Sequence, residues 1–184
     1  MDETNELIAY RANVERLAEL DSPEVFSNSR PEHAVIILET FFKNAKDRVV
    51  VFCQKLSNRT YGGKPLIILV EKALRRGVKV RVVIQENPEC QAFMEAAINW
   101  KTQNLPVVVS KADAGHRPVE VNFTVMDRKG YRFESNRQEP AAFACMNNPE
   151  TAVLLLRRFF EIEQKSTPLV GEMAVPDRWQ PHPA

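Results

Sequence analysis

The segment Leu74-Arg-Arg-Gly-Val-Lys-Val-Arg-Val-Val-Ile84 decides the fold of this chain. Residues 65–76 read as a helix, opened by Pro65 and stopped by Gly77, the residue type expected just past a helix C-terminus. Val78 to Gln85 then reads as a buried strand. The neighbours repeat this alternation. Upstream, Arg48-Val-Val-Val-Phe-Cys-Gln54 is a second buried strand. Downstream, Asn87 caps and Pro88 starts a helix bearing Phe93, Met94, Ala97, Ile98 and Trp100, and Pro106-Val-Val-Val-Ser110 returns as a third strand. Strand, helix, strand, helix, strand predicts parallel crossover units.

Working outward, Pro31 opens a helix to about Lys46, capped by Ser29 or Arg30. Val35, Ile36, Ile37, Leu38, Phe41 and Phe42 make it apolar almost all round, so it is expected to be buried. Asp21 to Arg30 reads as a loop. Before it, Asp2 to Leu20 spaces Leu7, Tyr10, Val14, Leu17 and Leu20 as a narrow stripe on an amphipathic helix. That stripe either packs on its own domain or forms a seam with a partner chain.

On the C-terminal side, Val119, Val121, Phe123 and Val125 alternate with Glu120, Asn122 and Thr124, a period of two that marks a strand. Asp127-Arg-Lys-Gly130 is a turn, and Tyr131 to Ser135 comes back as the second arm of a hairpin. Glu120 and Asn122 therefore point to one side, near Ser135. Such a cluster is either an active site or the polar face of a half-buried sheet. Ala141 to Met146 is a further strand, and Asn148-Pro149-Glu150 starts a last helix with Val153, Leu156, Phe159, Phe160 and Ile162 facing the core. From Thr167 the prolines at 168, 176, 181 and 183 have no period, and the segment reads as a tail.

Composition sets limits on function. The 184 residues suit one domain with a proper core. Twenty-five basic against 24 acidic residues give a net charge of +1, which argues against a dominant sequence-independent grip on nucleic acid. Cys53, Cys90 and Cys145 are odd in number and lack a CxxC pair, so they read as core thiols of a reducing cytoplasm. The acidic start Met-Asp-Glu-Thr-Asn-Glu does not read as a signal peptide. No apolar stretch approaches the roughly 20 residues that span a bilayer. A soluble, cytoplasmic protein without membrane contact is expected.

Candidate sites are few. Gly62-Gly63 lacks the spacing of a phosphate-binding loop and reads as loop flexibility. His33, His116 and His182 have no partner at metal-ligand spacing, so neither a metal nor a cofactor is expected. Lys72, Arg75 and Arg76 near a helix end, with Arg128, Lys129, Arg132 and Arg137 near the hairpin, are candidates for nucleic-acid backbone contact. Cations at a helix C-terminus also suit its dipole without any ligand.

Taken together, the order of elements from Pro31 to Ser166 resembles the phospholipase D-like superfamily. Arg76-Gly-Val-Lys-Val-Arg-Val82 matches that family's first-half signature. The second half of the family carries His-x-Lys, then Asp, then Gly-Ser and Asn. Here Glu120, Asn122, Asp127, Glu134 and Ser135 stand at the His, Lys, Asp, Gly and Ser positions with the spacing kept, and the asparagine falls on Arg137 or Gln138. Asn148-Pro-Glu150 resembles the family's closing helix. In the family, histidine attacks phosphorus and lysine stabilises the oxygens, two motifs meeting at one site. Glutamate and asparagine in those places reverse the sign of the electrostatic help, and Glu134 brings a further negative charge.

The resemblance implies an α/β fold with a mixed, largely parallel sheet, helices on both faces and an extra N-terminal helix. Residues 1–30 form that helix and a loop, 31–166 the phospholipase D-like domain, and 167–184 a proline-rich tail. It implies a pseudoenzyme: a catalytically inactive scaffold or protein-interaction subunit. A single motif per chain implies a homodimer, and Leu7, Tyr10, Val14 and Leu17 offer a seam for a protein partner. A nucleic-acid-binding module is the alternative. A phosphodiesterase or nuclease with altered chemistry, using Glu120, Asp127 and Ser135 around a metal, is the third reading.

Overall fold

Val49, Val50, Val51 and Phe52 each expose 1% or less of their surface. They lie in β2 (Arg48–Cys53), which runs through the centre of an eight-stranded sheet. The computed structural model describes residues 3–116, 121–135 and 142–171. Alternation along β2 sends Val49, Val51 and Cys53 into one core and Val50 and Phe52 into another, on opposite faces. The continuous apolar run is thus explained by burial on both sides.

The elements follow in the order α1 (Glu3–Glu19), β1 (Val25–Asn28), α2 (Pro31–Asn44), β2, α3 (Asn58–Tyr61), α4 (Lys64–Arg75), β3 (Lys79–Ile84), α5 (Gln91–Thr102) and β4 (Val107–Lys111). The hairpin β5 (Asn122–Met126) and β6 (Gly130–Glu134) comes next, then β7 (Ala142–Cys145), α6 (Pro149–Glu163) and β8 (Thr167–Val170). Across the sheet the order is β1-β7-β6-β5-β2-β3-β4-β8. The parallel pairs are the central β2–β3 and β3–β4, with Val51 opposite Val82 and Val82 opposite Val109. Antiparallel strands complete both flanks, so the sheet is mixed. Helices α1, α2, α4 and α5 cover one face and α6 covers part of the other.

Gly77 ends the α4 connection at φ +89, a left-handed conformation that glycine adopts without a Cβ clash. The adjoining Arg76 reaches back and donates to the carbonyls of Phe42 (2.8 Å), Lys43 and Ala45 (3.3 Å each). It therefore caps the C-terminal turn of α2, which helix geometry leaves with unpaired acceptors. Asn148 caps α6 as its position implies, accepting from the Thr151 amide at 3.0 Å.

Several boundaries differ from the sequence reading. Residues 25–28, which read from the sequence as loop, form β1, paired with β7. Residues 167–170, which read from the sequence as tail, form β8, antiparallel to β4, with Pro168 tolerated because the strand lies at the sheet edge. Residues 172–184 of the tail lie outside the described residues. Cys90, not Asn87, caps α5, and the Asn87 side chain accepts from Lys111 Nζ at 2.6 Å instead. In α1, Val14 and Leu17 are 0% and 1% exposed, and Leu7 and Tyr10 pack on the same core. The stripe proposed as a partner seam is thus used within the chain, against α2. All three cysteines are buried and free. No helix among the described residues is long and apolar enough to cross a membrane.

Candidate functional site

The polar residues of the hairpin meet the loop after β2 at one end of the sheet. Asn122 opens β5 and stands opposite Glu134, the last residue of β6. Phe123 and Val125 turn to the α6 core, so the period of two turns Asn122 and Thr124 to the other face, toward α2. There the Asn122 amide is held at both ends. Its Oδ1 accepts from the Gln54 backbone N–H at 2.8 Å, and its Nδ2 donates to Glu134 Oε1 at 3.1 Å.

The network extends through Arg132, two residues before Glu134 and on the same strand face. Arg132 Nη2 donates to Glu134 Oε2 at 3.0 Å, and its Nε donates to Asn28 Oδ1 at 3.1 Å. Asn28, buried in β1, in turn donates to the Ala142 carbonyl at 3.1 Å. The side chains of Arg132 and Glu134 are 12% and 18% exposed, so water screens the pair only weakly. The Glu134 charge, read from the sequence as a repulsion toward an anion, is therefore offset by a bonded guanidinium.

A cavity of about 220 Å³ opens above this floor. Arg30 and Pro31 at the start of α2, and Lys55, Ser57 and Thr60 in the loop after β2, form its walls with Cys53 and Tyr61. That loop is not wholly irregular. Ser57 caps the single turn α3 by accepting from the Thr60 amide. Gly62 closes it where a Cβ would sit 2.6 Å from the Asn58 carbonyl oxygen, so the glycine serves a close approach. Burial pushes the Tyr61 phenol well above its ordinary range, which keeps it protonated and unfit as a base.

The remaining motif positions separate. Asp127 lies beyond the far end of β5, about 17 Å from Asn122 at roughly 3.4 Å per residue. Its carboxylate accepts from the backbone amides of Lys46, Asp47 and Arg48 at 2.9 to 3.2 Å. It braces the entry into β2. Ser135 is exposed just after β6. The third reading placed Asp127 and Ser135 around one metal, and the length of β5 separates them. No group of three potential ligands gathers among the described residues. Glu120 and Arg137 lie outside the described residues.

The basic candidates also divide. Arg132 belongs to the network. Lys72, Arg75 and Arg76 lie at the end of α4, and Arg128 and Lys129 in the β5–β6 turn, all toward the end of the sheet opposite Asn122. Arg75 bonds Glu71 and Gln103 at 2.7 Å, Arg76 caps α2, and Lys129 pairs with Asp21. Lys72 and Arg128 are exposed. Sequence reasoning missed Asn28, which lies in an unrecognised strand, and it missed the Arg132–Glu134–Asn122 connection. The latter was readable: residues two apart share a strand face, and the hairpin register sets Asn122 opposite Glu134.

No protein-family model matches the chain, and no curated protein matches it in sequence. Solved structures share its fold. Nuc of Salmonella typhimurium, a phospholipase D family member, is 16% identical, with a TM-score of 0.60 over 82% of this chain and 100% of that one. NucT from Helicobacter pylori is 11% identical, with a TM-score of 0.55 over 79% and 100% of the two chains. TrmBL2, an archaeal chromatin protein whose structure shows a novel mode of DNA binding, is 14% identical, with a TM-score of 0.61 over 90% of this chain and 65% of that one. The fold is phospholipase D-like.

Proposed function

We propose that this phospholipase D-like fold serves as a catalytically silent scaffold or protein-interaction subunit that self-associates as a homodimer. The observation that carries the reading is the Asn122 amide, bonded at both ends by the Gln54 N–H and Glu134. It stands where the resemblance implies a lysine. Phosphoryl transfer depends on a nucleophile and on positive charge aimed at the developing oxyanion. A neutral amide already engaged at both ends supplies no such charge. Glu120 at the histidine position offers a weak nucleophile that repels a phosphodiester. Self-association follows from one motif-like region per chain, where the family brings two together.

A nucleic-acid role draws support from the likeness to TrmBL2 and from the exposed Lys72. Against it, Arg75, Arg76, Lys129 and Arg132 are engaged within the chain. Light scattering, a salt titration of DNA binding and a phosphodiesterase assay test the reading together. A dimeric mass, no saturable DNA binding at about 0.15 M salt and no turnover are expected. A steep salt-dependent affinity for DNA would replace the scaffold reading with the nucleic-acid one.

A further inference from the structure

The sheet ends at β1, whose outer edge has no neighbouring strand among the described residues. Beside that edge, α6 leaves the sheet face uncovered. Phe143 on β7 is 47% exposed, Val25 on β1 51% and Leu154 on α6 57%. Together with Tyr131, Phe133 and Leu155 they line an apolar groove of about 370 Å³. Three half-exposed side chains of this class present roughly 300 Å², the size at which an exposed apolar patch tends to be functional. A stable dimer wants about 800 Å² from each partner. The patch supplies the apolar centre of a contact well below that area, and with the open strand edge beside it suits a short extended segment.

The edge itself says what kind of segment. An open strand edge offers alternating N–H and C=O groups to an extended backbone. Side chains of β1 alternate too: Val25 and Ser27 face the groove, while Phe26 packs into the other core. Charge gives the direction. At the Val25 end, Cys145 pairs with Val25, and the exposed Glu24 and Glu150 lie close by in sequence on either side. Arg30, two residues beyond Asn28, is ion-paired with Glu6 at 3.3 Å and lines the Asn122 cavity rather than the groove, so the acidic side chains at the Val25 end alone set the polarity.

We propose that the β1 edge and its groove dock an extended segment of a partner protein, antiparallel to β1, apolar at alternate positions and basic at its C-terminal end. The backbone of the segment extends the sheet, one row of its side chains fills the groove, and its basic end meets Glu24 and Glu150. The groove opens on the sheet face opposite Asn122. Asn28 ends β1 within the Asn122 network, but none of the groove side chains bonds to that network, so the proposal does not depend on whether that site is catalytic.

The test uses the full chain and a fluorescein-labelled peptide of sequence Thr-Val-Thr-Ile-Thr-Val-Lys-Arg, followed by fluorescence anisotropy. Saturable binding is expected, weakened about tenfold or more by Leu154→Glu or by Phe143→Glu. Both side chains are half-exposed, so these variants are expected to keep the wild-type melting temperature. N-methylation of alternate peptide amides should weaken binding as much, and moving Lys-Arg to the peptide N-terminus should weaken it several-fold. Absence of saturable binding at about 1 mM peptide overturns the proposal, as does binding indifferent to both Leu154→Glu and N-methylation. Equal binding of the charge-reversed peptide overturns it as well. So does a dimer in light scattering that Leu154→Glu dissociates, because the surface would then be a self-interface.

Discussion

Replacing Arg132 by methionine is expected to destabilise the fold by about 3 kcal/mol, and the structure gives the reasons. The change removes the donor to Glu134 Oε2 at 3.0 Å and the donor to Asn28 Oδ1 at 3.1 Å. Each buried acceptor left unsatisfied costs about 1–3 kcal/mol, and breaking a buried ion pair costs about 3–5 kcal/mol. The 12% and 18% exposure of the two side chains lets some water in, which favours the lower end. Glu134→Gln keeps an acceptor for Asn122 and is expected to cost about 1 kcal/mol. The double variant should lose about 2.5 kcal/mol rather than the sum, a coupling of about 1.5 kcal/mol. Urea unfolding reads this directly. With a slope of about 2–3 kcal/mol per molar for a chain of this size, Arg132→Met lowers the midpoint by about 1 M. A coupling below about 0.5 kcal/mol would refute the reasoning, because the two side chains would then act independently.

Three further outcomes follow from packing, turn geometry and burial. Leu17→Ala should lower stability by about 2–5 kcal/mol, since it empties a fully buried site under α1, while the mass in light scattering stays unchanged. A mass change would return α1 to the role of a partner seam. Asp127→Ala should destabilise more than Asp127→Asn by about 2 kcal/mol, because alanine loses the three backbone contacts and occupies φ 55 without a side-chain bond. Equal midpoints would contradict the bracing role. Burial raises the Glu163 carboxyl above its ordinary range, with Arg81 at 3.2 Å working against it. A raised folded-state value means that the contribution is full below about pH 4.5 and is lost as pH rises through the raised value. Wild type should therefore lose stability relative to Glu163→Gln across that window, and parallel stability curves would contradict the assignment.

Much of this architecture was legible because burial writes itself into composition. The run Arg48–Gln54 is apolar without alternation, as a strand covered on both faces requires, and Val78–Gln85 becomes so from Val82 onward after alternating with Lys79 and Arg81; both lie at the centre of the sheet. Asp127 was readable as a turn residue because aspartate tolerates the left-handed conformation it adopts. The misses have physical causes. Strand β1 is four residues long after a proline and borrows its order from β7, so nothing local announces it. Strand β8 contains Pro168, which removes a donor and is tolerated only because β8 lies at an edge that sequence cannot place. Asn87-Pro88 has the composition of a helix start, yet the Lys111 ammonium engages the asparagine and the helix begins later. In the candidate site, the residue types were evident but their engagement was not. Glu134 reads as a free negative charge until the hairpin register places it between Asn122 and Arg132.

Hydrolysis of bis-p-nitrophenyl phosphate and of plasmid DNA, with and without divalent metal, tests the central claim most directly. Wild type should be compared with Glu120→Ala, Asn122→Ala and a Glu120→His/Asn122→Lys/Glu134→Gly variant, each checked for folding by circular dichroism. The account expects no turnover by wild type. Measurable hydrolysis by the triple variant is expected too, because Glu134→Gly frees the position that now ties Asn122 in place. Wild-type turnover that either alanine variant abolishes would contradict the account and assign new chemistry to this scaffold.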